Sequence, residues 1–256
     1  VVITERDGDD HFTMAVATMH DAQPGDPMWF VEETEYNGGD SVRVVRMDNP
    51  NSATPVYTDY EIAVTNYSTP PDAPQPGGGS FRTNDGRILN AEYRGGRLVA
   101  THAVGVGGKT VARWYEFDVR GATPTLVQEG TIDPGPGINT YFPSIAINAN
   151  GDLGITYMQS SASEFVSMYV TGQAVESDPG TLATPVLVKA GDEIYPGGRG
   201  GDYSGISVDP VTDSFWAVNE VSLSGPAPNP LWSTWAGEFN VTPNEDYDGF
   251  SLAVEA

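Results

Sequence analysis

The chain contains no cysteine. No disulfide framework can staple it, and thiols give no reading of its redox compartment. Cations are scarce: 12 Lys and Arg stand against 35 Asp and Glu, for a net charge of −23, and there are only three histidines. So few basic residues exclude nucleic acid as a partner, because phosphates are held by Lys and Arg. The acid excess fits a protein kept in solution by self-repulsion, a collector of cations, or a saline habitat. No apolar run approaches the roughly 20 residues of a membrane helix, which excludes a helical span. The chain opens on Val1-Val2-Ile3-Thr4, which reads as strand rather than leader, so it is expected to begin inside a longer precursor. Sustained helical periodicity is rare as well.

What the chain has in quantity is turn chemistry, with 30 Gly and 20 Pro in 256 residues. Between the turns lie short alternating runs, the pattern of an all-β domain. They fall into four sets of four, over residues 11–64, 87–132, 144–190 and 205–254. Gly95-Gly96 and Asn150-Gly151 mark tight hairpins within the sets. Residues 67–80, rich in Pro and Gly, read as a loop crossing the face of one domain rather than as a linker. The third and fourth sets are related copies: Ser144-Ile145-Ala146-Ile147-Asn148 lies over Gly205-Ile206-Ser207-Val208-Asp209, and Asp152 falls on Asp213 without a gap. Four strands repeated four times predict a β-propeller of four-stranded antiparallel blades, alone or as part of a larger ring. Trp29, Trp114, Trp216 and Trp235 all fall in strands and are expected to fill the space between blades.

Several stretches resemble the later blades of secreted bacterial sialidase-like propeller proteins. They are Arg87 to Arg94, Ala112 to Phe117 with Leu126 to Gly130, Pro143 to Asn148 with Gly151-Asp152, and Gly201 to Ser204 with Val208-Asp209-Pro210 and Phe215-Trp216. The resemblance spans about Asp26 to Phe239. It implies export to the medium or cell surface, and earlier blades or a second chain completing the ring. It also implies a comparison with the sialidase site, which uses three arginines, a Tyr–Glu pair and an acidic residue. Arg82, Arg87, Arg94, Arg113 and Arg199 supply arginines. Glu92 and Tyr93 are adjacent on a strand, however, and so face opposite ways. No Ser-x-Asp-x-Gly-x-Thr-Trp box is present.

Candidate ligand contacts come from loops and from one strand histidine. Gly197-Gly198-Arg199-Gly200-Gly201-Asp202-Tyr203-Ser204 combines close backbone approach with charge and an aromatic face, through Arg199, Asp202 and Tyr203. Tyr141, in Asn139-Thr140-Tyr141-Phe142, holds the equivalent place before the third set, and both segments also read as structural crossings between blades. His102 lies alone in a strand, with no His-x-His spacing, and reads first as a hydrogen-bonding residue and second as a ligand contact. Asn244-Glu245-Asp246-Tyr247-Asp248-Gly249 has the acid spacing of a calcium turn through Asp246 and Asp248, although a strand rather than a helix follows it. The expected function is a non-catalytic extracellular module that binds a glycan or protein, in adhesion or assembly. The alternative is a carbohydrate-active enzyme, a sialidase-like hydrolase or a polysaccharide lyase.

Overall fold

The computed structural model describes residues 13–35, 37–197, 199–200, 204–225, 231–241 and 250–253, and its architecture is all-β. The first run holds β1 (Met14–Met19), β2 (Met28–Glu33), β3 (Ser41–Asp48) and β4 (Val56–Ala63). Two short strands, β5 (Ala73–Pro74) and β6 (Ser80–Phe81), sit in the crossing segment. The second run is β7 (Asn90–Arg94), β8 (Arg97–Val106), β9 (Lys109–Asp118) and β10 (Thr125–Ile132). The third is β11 (Asn139–Ile147), β12 (Leu153–Ser161), β13 (Glu164–Gln173) and β14 (Val186–Lys189). The fourth is β15 (Gly205–Val208), β16 (Phe215–Leu223), β17 (Leu231–Val241) and β18 (Phe250–Ala253). Each run is an antiparallel meander in chain order. Gly95 and Gly96, both at positive φ, close the two-residue hairpin that sets Arg94 opposite Arg97.

Four separate sheets were expected, and here the structure differs. β1 and β7 pair in parallel, Ala17 opposite Ala91, so the first two meanders fuse into one eight-stranded sheet. The cause is an edge. As the first strand of its meander, β1 has only β2 beside it, and its other side is completed by β7. Strand alternation encodes which face is buried, not which distant edge is covered.

The meanders stack face to face in chain order. Trp29, Val31, Val42 and Val44 of the first pack on Leu98, Ala100, Tyr115 and Phe117 of the second. The other face of the second, through Val99, Ala112 and Trp114, meets Ile145, Leu153, Ile155 and Tyr157 of the third. The third meets the fourth through Met168 and Val170 against Phe215, Ala217 and Phe239. Because successive strand residues point to opposite faces, both faces of the middle meanders are apolar.

Trp216 departs from the expected pattern. Phe215, Ala217 and Val221 of β16 are buried inward, which turns Trp216 and Val218 outward, where they are 37% and 39% exposed. The ungapped match of Asp152 to Asp213 also fails. Ile147 pairs with Leu153, but Val208 pairs with Phe215, so the fourth turn is one residue longer. Gly151 and Asp213 are then the equivalent left-handed positions, at φ 93° and 61°. Asn148 and Asp209 keep their equivalence: the side-chain oxygen of each accepts turn N–H groups, from Asp152 and from Val211 and Thr212 respectively. The segment Asn139–Phe142, read as a crossing, is strand, and Tyr141 lies opposite Met158 ahead of a bulge that ends at Ser144.

The Pro- and Gly-rich segment does cross the meanders. Ser68 bridges to Gly105, and the Pro71 carbonyl accepts from Thr110. The Pro74 carbonyl accepts from Ser160, and the Gln75 side chain bonds the backbone of Tyr195 at both ends.

Gly154 shows how closely the third and fourth meanders approach: a Cβ there would sit 2.6 Å from the Phe215 ring. Gly154→Val should therefore destabilise the fold by about 1–3 kcal/mol through overpacking. A chemical denaturation curve measures this, and Gly95→Asn, in an open turn, serves as the control.

Candidate functional site

Two segments that lead into first strands converge with a bulge inside a third. They are residues 83–89 ahead of β7, the bulge Phe142-Pro143 in β11, and Arg199 ahead of β15. With His102 and Ala103 of β8 they line a small pocket, partly open to solvent, with a cavity volume of about 50 Å³. Its charged lining is Asp85, Arg87 and Arg199.

Local geometry explains each wall. Asp85 takes a bidentate ion pair from Arg87, Nε to Oδ1 at 2.6 Å and Nη2 to Oδ2 at 2.5 Å, and also accepts the Arg87 N–H. This Asx-type closure shapes the turn and holds the guanidinium at the pocket. Thr83 pins the start of the segment by donating to the Pro71 carbonyl at 2.8 Å. Phe142 adopts φ 47°, a left-handed conformation that a bulky side chain rarely takes. It is over-determined from three sides. The bulge sets its register, Asn219 Nδ2 donates to its carbonyl at 3.2 Å, and its ring packs at right angles to Phe81 and Tyr141. Held strain of this kind concentrates at functional sites.

His102 forms the pocket floor. Nδ1 lies 2.6 Å from the Gly86 carbonyl, which can only accept, so Nδ1 carries the proton. Nε2 then accepts from the Tyr115 hydroxyl at 2.8 Å. Burial pushes its pKa down to about 4, and the nearby Arg113 charge adds to the shift against the opposing Gly86 bond. The ring is therefore neutral near pH 7, and both of its nitrogens are engaged.

Of the residues singled out from sequence, Arg199, His102 and the candidate arginine Arg87 are brought to this pocket. Tyr141 is not among its lining: it is fully buried, donates to Ser160 Oγ at 2.8 Å and stacks on Phe81. Asp202, Tyr203, Asp246 and Asp248 lie outside the described residues. Among the described residues no group of three or more His, Cys, Asp or Glu is gathered to hold a metal. Of the other arginines considered, Arg94 bonds Asp21 and the Ile147 carbonyl, and Arg113 bonds the Thr65 carbonyl. Glu92 is buried and bonded to His20, whereas Tyr93 packs against the core shared by the first two meanders, as the opposite facing of neighbours requires. Sequence reasoning passed over Asp85 and Phe142. The available signal was Asn84-Asp85-Gly86, turn chemistry at the same place before β7 that the Arg199 loop holds before β15.

A second, more open cleft, of about 470 Å³, lies at the far ends of the first strands. Its Asp152 and Asp213 accept backbone N–H groups of Val175, Ala149 and Asn150, so these carboxylates tie neighbouring turns together. Among the described residues no helix is long and apolar enough to cross a membrane. Comparison with protein families and with curated proteins returns no match to this chain.

His102 sets an acid limit. Its folded pKa lies below the ordinary 6.5, so the stability it contributes is whole above 6.5 and is lost as pH falls toward 4. The loss is on the order of 3 kcal/mol. His102→Asn does not titrate, and its stability should fall less than wild type by about that amount between pH 7 and 4. Urea midpoints at the two pH values measure the difference.

Proposed function

We propose that this chain is a propeller-type, secreted or cell-surface module that binds a glycan bearing an acidic group, without catalysis. The observation that carries the reading is the pocket at which the approaches to β7 and β15 meet the bulge in β11, with Arg87 and Arg199 in its lining. Guanidinium groups suit planar carboxylate or sulfate, and the Phe142 ring and Ala103 methyl supply apolar lining beside them. Binding is favoured over catalysis because the lining carboxylate, Asp85, is committed to Arg87, and both His102 nitrogens are engaged. The propeller reading draws support from the four meanders stacked in chain order. Trp216 and Val218 on the outer face of the last meander are where a further sheet, from this or another chain, would stack. Export is supported by the sequence resemblance to secreted propellers.

A glycan array of neutral, carboxylated and sulfated sugars tests the reading. Acidic glycans should be retained selectively, and Arg199→Ala should weaken them by about tenfold, the worth of one charge-assisted hydrogen bond. Retention of neutral sugars alone, or no effect of Arg199→Ala, would overturn it. Turnover of chromogenic acidic glycosides would instead establish the carbohydrate-active enzyme, which the pairing of two arginines with Asp85 in one pocket also suits.

A further inference from the structure

We infer that Glu33, buried behind the pocket wall, controls the pocket by its proton: with the carboxyl neutral an anion is held at Arg87, and with it ionised the same anion is held less tightly. The inference rests on the anion-binding reading above. Glu33 ends β2 and is only 2% exposed. Its Oε2 accepts the Ile88 N–H at 3.4 Å. Ile88 is the residue between Arg87 and Leu89, both of which line the pocket. The carboxyl thus touches the wall from behind while the ligand would touch it from the front.

The charges facing Glu33 set the sign. On its own strand stands Glu32, paired with Arg43 of β3 at 3.2 Å. On the pocket wall stands Asp85, paired with Arg87. From the crossing segment Tyr67 faces it, with Glu35, Asp40 and Arg113 beyond. The two ion pairs balance. Ionising Glu33 therefore adds a net negative charge behind a site that holds anions, in surroundings where Coulomb interactions are weakly screened. Burial, with Asp85 and Glu32 acting in the same direction, raises its pKa to about 7. The neutral acid prevails below that value and the carboxylate above it, so the control operates near neutrality. By linkage, an anion that prefers the neutral state must in turn raise the Glu33 pKa.

Inorganic sulfate is the probe, since its charge is the same throughout the range. Its dissociation constant is measured by titration calorimetry at pH 5.5 and 8.5 for wild type and Glu33→Gln; Gln keeps an acceptor for Ile88 and does not titrate. Wild-type affinity should fall by about three- to tenfold as pH rises, and the variant should stay flat. Sulfate bound equally at both pH values, or an equal fall in both proteins, would overturn the control and leave the site standing. No sulfate binding by wild type at either pH would overturn both. The side-chain carboxyl ¹³C shift of Glu33 in wild type gives an independent readout that needs no variant. Its midpoint should move up with sulfate present, and an unmoved midpoint would overturn the control.

Discussion

The structure depends on how the first strand of each meander satisfies its outer edge. A meander pairs that strand on one side only, and buried N–H and C=O groups left over on the other cost free energy comparable to lost hydrogen bonds. β1 and β7 resolve this directly, by pairing with each other in parallel. β11 resolves it through side chains: Asn90 Oδ1 accepts the Ile145 N–H at 2.7 Å, and Glu92 Oε2 accepts the Ile147 N–H at 3.3 Å. The Arg94 Nε returns a bond to the Ile147 carbonyl at 3.0 Å. Asn90, Glu92 and Arg94 alternate along β7 and so share one face, which turns a row of side chains into a substitute strand edge. Between β11 and β15 the hydroxyls of Ser144 and Ser204 lie 2.7 Å apart, and at the far end Asp213 accepts the Ala149 and Asn150 N–H groups.

That succession of edges positions the pocket. Once β7, β11 and β15 lie side by side, the segments that lead into them are forced together, whatever their sequence. What the sequence then chooses is their chemistry: an Asx-closed turn carrying Arg87, a bulge that throws Phe142 into left-handed space, and a glycine-rich approach carrying Arg199. The glycines have a packing reason as well. A Cβ at Gly200 would meet the Trp232 ring at 3.0 Å, and Trp232 itself stacks on Phe81 beside Phe142. The approach to the pocket and the core beneath it are one packed unit.

Strands were legible in the sequence because alternation and turn residues are local signals: β1 to β4, β7 to β10 and β15 to β18 lie within the sets marked out for them, while β11 starts ahead of its set, at Asn139. Edge pairing was not legible, since nothing near Ala17 points to Ala91. The one-residue shift between the two related turns was hidden for a different reason: Asp152 and Asp213 match as letters, while backbone geometry matches Asp213 with Gly151. At the pocket, Arg199 announced itself through its flanking glycines. Arg87 was one of five arginines with nothing to rank it, and Asp85 was missed, because two residues apart on a turn they look like any surface ion pair until the fold sets a cavity in front of them. Trp216 shows that residue type alone does not set burial within this chain: its parity along β16 turns it to the outer face.

Gly154 carries a consequence for how such a chain can be rearranged. The space above it is occupied by one particular ring, that of Phe215, and a similar vacancy at Gly130 is filled by Trp114 of its own meander. Neighbouring layers therefore recognise one another by a specific gap and the group that fills it. Duplicated units that begin alike lose their interchangeability as such gaps accumulate. Shuffling the third layer into the place of the second would leave Phe215 without its seat, so the linear order of the units has become part of the fold.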